Sequence, residues 1–275
     1  MNATRTGCET GPAFGRATGR GAALVFFGTA ALLFAAAAAV TILSGAAMDT
    51  MGAVPMAGGW LLSGIWLPLC GQSWLETAGC FLGMWCVMMV AMMLPSLTPV
   101  LWRYREAAFK AGASRPGGLA ALAGVGYCTV WTGLGLPVFL VGAALAQIAL
   151  QFPALSRLVP AVCAFVVLMA GLSQFSRWKA RRLAGCSASR QQSQTPLDTL
   201  AVLRAGAALG LRCCLSCAGP MAILIAGGLM DLPLMLCVTL AVTAERLLPP
   251  EMRIAQATGA GMSAAGLLLL LRSLG

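Results

Sequence analysis

Residues 80–102 read CFLGMWCVMMVAMMLPSLTPVLW, a run without one charged side chain. About 20 consecutive apolar residues suffice for an α-helix to cross the hydrocarbon core of a bilayer. The run is long enough, and the chain around it is built the same way. Apolar segments recur at about 21–47, 119–148, 158–175, 200–229, 233–248 and 254–271. The expected fold is therefore an all-α, polytopic transmembrane bundle of about seven spans. Residues 1–20 form a tail, and 21–275 form a single helical domain.

The loops carry the charge that orients these spans. Arg5, Arg16 and Arg20 precede the first span. Arg103, Arg105, Lys110 and Arg115 follow the second, and Arg177, Lys179, Arg181, Arg182 and Arg190 follow the fourth. Residues 48–78 contain no Lys or Arg, but hold Trp60, Trp66 and Trp74. Basic loops stay on the cytoplasmic side and aromatic residues favour the interface, so the N-terminus is expected in the cytoplasm. The first apolar run is longer than the 7–15 residues typical of a cleaved signal-peptide core, so it reads as an uncleaved span.

Composition agrees. Hydrophobic residues make up 59% of the chain and charged residues 9%, where a soluble domain carries about 25% charged residues. The net charge of +10 comes from basic residues lying between apolar runs, which argues for a lipid partner and against nucleic acid. There are 11 cysteines and no histidine. Most of the cysteines lie inside apolar runs, unlike a secreted disulfide framework. Without imidazole, any metal must be held by sulfur or oxygen.

Sulfur is concentrated in a few places. Met88, Met89, Met92 and Met93 follow Met84 in the second span, ahead of Pro95. At 100° per residue, Met84, Met88 and Met92 form one stripe, with Met89 and Met93 beside it. Thioethers favour Cu(I), yet methionine also fills irregular gaps between helices, and spacing alone favours packing. In the fifth span, Cys213 and Cys217 are four apart and share a helix face. Two thiolates there could hold Cu(I), alone or with a methionine, and Arg212 is the neighbouring cation expected to favour them. The alternative reading is a set of small residues at a helix crossing. Met48, Met51 and Met56 in the outer loop could collect copper(I), and Cys186 in the basic loop could pass it on. Arg204 and Glu245 are expected at similar depths near the cytoplasmic side, where they would form a structural ion pair.

These segments resemble a bacterial family described as predicted metal-binding integral membrane proteins. WCVMMVAMMLPSLTPVLWRYR is similar to its signature. GYCTVWTGLGL, GLSQFSRWKARRLAGC, GLRCCLSC and GGLMDLPLMLCVTLAVTAERLLP resemble its further motifs. Together they cover most of residues 79–271. Arg182 stands where the family has the first cysteine of an inner-loop pair, and Arg212 stands in place of a tyrosine. The resemblance implies a bacterial inner-membrane location and metal binding.

Three functions are consistent with this reading. The first is a non-enzymatic soft-metal protein acting in copper transport or delivery, with a metallochaperone as partner. The second is an accessory or assembly subunit packed against a larger membrane protein complex. The third is a membrane thiol oxidoreductase built on Cys213, Cys214 and Cys217.

Overall fold

The computed structural model describes residues 13–50, 54–57, 60–68, 71–176, 198–248 and 254–274. Among these, eight α-helices follow one another: α1 (Ala13–Thr50), α2 (Trp74–Lys110), α3 (Pro116–Gln151), α4 (Pro153–Ser156), α5 (Val159–Ser173), α6 (Thr199–Gly227), α7 (Leu232–Leu247) and α8 (Ile254–Leu274). Every expected apolar segment is helical. Five of the helices are long and apolar enough to cross a membrane: α1, α2, α3, α6 and α8. The other two segments, α5 and α7, have 15 and 16 residues, short of the ~20 that a full crossing takes. Of the about seven spans expected from the sequence, five meet this criterion of length and apolarity.

The helices outrun the apolar cores read from the sequence. α1 begins at Ala13, inside the expected tail. α2 has 37 residues, or about 55 Å at 1.5 Å per residue. Its start is fixed by a capping box: Ser73 Oγ accepts from the Glu76 amide and the Glu76 carboxylate accepts from the Ser73 amide. The polar last turns, through Arg103 and Lys110, remain helical although they left the hydropathy window. α3 continues through Pro137.

α3 is the central strut, packed on α2 on one side and α6 on the other. α5 lies between α6 and α8, α1 lies on α2, and α7 touches α2 and α6. α3 and α6 run parallel and come close because their contact is made by glycines. A Cβ on Gly206 would meet the Ala123 carbonyl, and one on Gly126 would meet the Leu203 carbonyl. At Gly210 the added atom would lie 2.9 Å from the Tyr127 carbonyl oxygen. The same helix face therefore carries Tyr127 on α3 and Cys213 on α6 into contact.

One end of the core is filled with rings. Phe81 stacks near Trp85 at 5.9 Å and contacts Trp66 and Phe139 at 5.3 and 5.2 Å. The Trp85 indole donates to the Trp131 carbonyl at 2.8 Å, tying α2 to α3. The segment between α1 and α2 contains a two-residue antiparallel pair, β1 (Val54–Pro55) with β2 (Leu61–Leu62), and a 3-10 turn at Gly64–Trp66. It is pinned to α4 by Trp60 Nε1 donating to the Ser156 carbonyl and Ser156 Oγ donating to the Ala57 carbonyl.

The glycine contact predicts a specific sensitivity. Gly206→Leu should lower the stability of the purified protein by at least about 1–3 kcal/mol, the cost of overpacking, measured by thermal or denaturant unfolding. Gly133→Leu, on an open face of α3 with nothing within 4 Å, is the control and should leave the midpoint in place. Equal behaviour of the two variants would refute the close approach of α3 and α6.

Candidate metal centre

α2 presents its methionines to the centre of the bundle. Met88, Met89, Met92 and Met93 are all buried, at 1–3% exposure. α6 presents a stripe of Gly206, Gly210, Cys213, Cys217, Pro220 and Leu224, every one buried. The steps of 3 and 4 keep these residues on one face. Where the two stripes meet, three sulfurs come together. Cys213 Sγ lies 3.8 Å from Met93 Sδ and 3.9 Å from Cys217 Sγ.

Polar groups surround this cluster in an order the chemistry can use. The Tyr127 hydroxyl donates to Cys213 Sγ at 2.8 Å. Ser216 Oγ lies 3.8 Å from Cys217 Sγ and donates to the Cys213 carbonyl at 3.0 Å. Arg246 Nη2 reaches in from α7 and donates to Ser216 Oγ at 3.0 Å. Pro220, one turn beyond Ser216, has no N–H and interrupts the α6 hydrogen-bond ladder there. On α2, Pro95 does the same two residues after Met93.

The donor set suits a soft monovalent metal. Three sulfurs bound at about 2.3 Å in a trigonal plane lie about 4.0 Å from one another. The two separations from Cys213 Sγ, 3.8 Å to Met93 and 3.9 Å to Cys217, match two sides of such a triangle. Thiolate and thioether together select Cu(I) over the hard cations, which demand oxygen. Among the described residues no group of three or more His, Cys, Asp or Glu side chains converges, so a site for a harder metal is not offered elsewhere in them. Two thiolates and Cu(I) sum to one negative charge, and the Arg246 guanidinium supplies the balancing positive charge. A buried charge is tolerable when it is paired in this way.

The expected site residues divide clearly. Met93, Cys213 and Cys217 are brought into contact. Met88, Met89 and Met92 belong to the same buried cluster, but the thioether that touches Cys213 is Met93's, one residue off the Met84–Met88–Met92 stripe. Met56 is half-buried, its amide donating to the Trp60 carbonyl at 2.9 Å, and it is not among the sulfurs contacting Cys213. Met51 and Cys186 lie outside the described residues, as does the side chain of Met48, whose backbone belongs to α1.

One charge assignment changes. Arg212, expected beside the thiolates, is exposed, and the cation that approaches them is Arg246. For the expected Arg204–Glu245 pair, what the structure gives is the placement of α7: the Arg246–Ser216 bond sets the end of α7 beside the middle of α6. Glu245 is then offset from Arg204 by about 12 residues of α6, or about 18 Å.

Tyr127, Ser216 and Arg246 were not singled out as site residues from the sequence. A signal for Arg246 existed: Met235, Val238 and Val242 form the buried stripe of α7, and position 246 continues it at three full turns from Met235. Tyr127 likewise continues Ala120 and Ala123 toward Trp131 on the buried face of α3.

No curated protein and no solved structure shows significant similarity to the chain. Residues 82–269, well over half of the chain, match the PpoB2 family, described as copper chaperone. That match spans Met93, Tyr127, Cys213, Cys217 and Arg246, and the chain belongs to the PpoB2 copper chaperone family.

Proposed function

We propose that the protein is a membrane-embedded Cu(I) chaperone, which holds the metal between Met93, Cys213 and Cys217 and delivers it to a protein acceptor. The observation that carries this reading is the meeting of three sulfurs, from helices 120 residues apart in sequence, at 3.8–3.9 Å. Family membership supports copper as the cargo. The five long apolar helices support a bilayer as the setting, and so does the outer face of α1. That face exposes Leu24, Val25, Leu32 and Leu43 at 68–75%, a ridge that suits acyl chains.

In this setting Cys213 lies about 21 Å along α6 from Thr199, well inside the hydrocarbon layer. The site is dry and deep, so a charge within it must be cancelled locally. Arg246 cancels it. Tyr127 orients the Cys213 lone pairs by its hydrogen bond, and Ser216 links the guanidinium to the thiol pair. Because a thiol must lose its proton to bind, each Cu(I) taken up releases two protons, and affinity rises with pH.

Purified wild-type protein is expected to bind Cu(I) under reducing conditions, with copper–sulfur distances near 2.3 Å by X-ray absorption. Cys213→Ser with Cys217→Ser should abolish binding at the core. Arg246→Gln, which leaves every sulfur in place, should weaken Cu(I) affinity by about 10–100-fold, as loss of an outer-shell partner does. Competition against a chromophoric Cu(I) chelator measures both. Unaltered core affinity in the double serine variant would overturn the assignment. A proton release of about two per Cu(I), followed in weak buffer by a pH indicator, tests the thiolate pair independently.

A further inference from the structure

A second group of sulfurs lies outside the core centre. Between α2 and α3 there is a cleft of about 60 Å³, and its lining includes Cys86, Met89, Met93, Cys128 and Thr132. Cys86 and Cys128 are half-buried free thiols, so unlike Cys213 they are reachable from outside the bundle. Cys86 Sγ lies 3.2 Å from Thr132 Oγ1. Since α2 and α3 are antiparallel, this contact sets Cys128, one turn before Thr132, opposite the turn of α2 that holds Met89. Cys86, Met89 and Met93 occupy one face of α2, at steps of three and four residues.

We propose that Cys86, Met89 and Cys128 form a second Cu(I) site, an outer station from which the metal passes to the core centre through Met93. The inference rests on the reading of the core as a copper site. The two donor sets match: each has two cysteines and one methionine. Their methionines, Met89 and Met93, are neighbouring turns of α2, about 6 Å apart along its axis. Met93 belongs to both places, lining the cleft and touching Cys213. Tyr127 also lines the cleft and donates to Cys213, so the wall between the two stations is one ring and one thioether thick.

Transfer needs no redox partner. Copper remains Cu(I) throughout. The Cu–S bond to Met89 breaks as the bond to Met93 forms, with no proton involved, because a thioether is neutral in both states. The bonds to Cys86 and Cys128 are replaced by bonds to Cys213 and Cys217. The first pair takes up two protons and the second pair gives up two.

Stoichiometry separates this inference from the core reading. Full-length protein in detergent micelles is titrated with Cu(I) under anaerobic, reducing conditions. Wild type should bind two equivalents, Cys86→Ser with Cys128→Ser should bind one, and Cys213→Ser with Cys217→Ser should bind one. Two equivalents retained without Cys86 and Cys128 would overturn the outer station alone. Full binding retained without Cys213 and Cys217 would overturn the core reading instead. The unmutated protein supplies a test independent of folding. Two equivalents of Cu(I) should protect Cys86 and Cys128 from alkylation, mapped by peptide mass spectrometry, while the exposed Cys80 and Cys237 stay reactive. Equal alkylation of Cys86 and Cys128 with and without Cu(I) would likewise reject the station.

Discussion

The contact of α3 with α6 through glycine is the constraint on which the rest of the structure depends. Two parallel helices with ordinary side chains at the crossing stand 8–10 Å apart. Removing the Cβ at Gly126, Gly206 and Gly210 lets backbone meet backbone, as small residues do in membrane helix pairs. Only at this short distance does the Tyr127 hydroxyl reach the Cys213 thiol across the interface. Such packing needs no hydrophobic difference between helix and lipid. It gains from dispersion at close range, which is the force left to a helix pair inside a bilayer.

The charge arrangement follows from a second constraint, the shortness of α7. A helix of 16 residues rising from the turn after α6 ends about 24 Å away, beside the middle of its partner. Its last turn therefore delivers Arg246 to Ser216, beside Cys213 and Cys217. In a longer helix, position 246 would lie mid-span, where an arginine would still need a partner. Here the end of the helix lets a charged side chain enter the bundle from one end. A thiolate pair that binds Cu(I) carries one net negative charge, and the helix end supplies the guanidinium that neutralises it.

Much of the fold could be read from the sequence, and the reasons the remainder could not are physical. The seven helical segments were legible because hydropathy reports which residues avoid water. Their ends were not, since polar turns such as Arg103–Lys110 stay helical beyond the apolar window. The pairing of Cys213 with Cys217 was legible from i, i+4 spacing, which is local geometry. The third sulfur was not, because Met88, Met89, Met92 and Met93 surround more than one face of α2 and only tertiary packing selects Met93. Arg212 appeared to be the relevant cation through its adjacency in sequence. In a helix, however, adjacent residues point about 100° apart, so a neighbour of a buried cysteine generally faces away from the cysteine's partners.

The placement of methionine and cysteine along α2 bears on how a metal could move within a protein of this kind. Moving an ion through a low-dielectric interior is costly when its charge is bare. A thioether lowers that cost without adding charge, so a Cu(I) handed from one methionine to the next changes neither the charge nor the protonation of its carriers. Thiolates bind more tightly but add charge, so they belong where a cation can balance them. In the core this division is met: Met89 and Met93 line the cleft beside α2, and the buried cysteine pair lies within reach of Arg246 through Ser216. On the proposed reading, affinity would increase toward the guanidinium. A metal entering beside Cys86 and Cys128, where the described residues place no arginine in contact, would gain free energy by moving inward. Release to an acceptor then requires either protons, returned to Cys213 and Cys217, or a partner whose own thiolates compete for the metal. The first route makes delivery sensitive to pH, and the second makes it specific for the protein that docks.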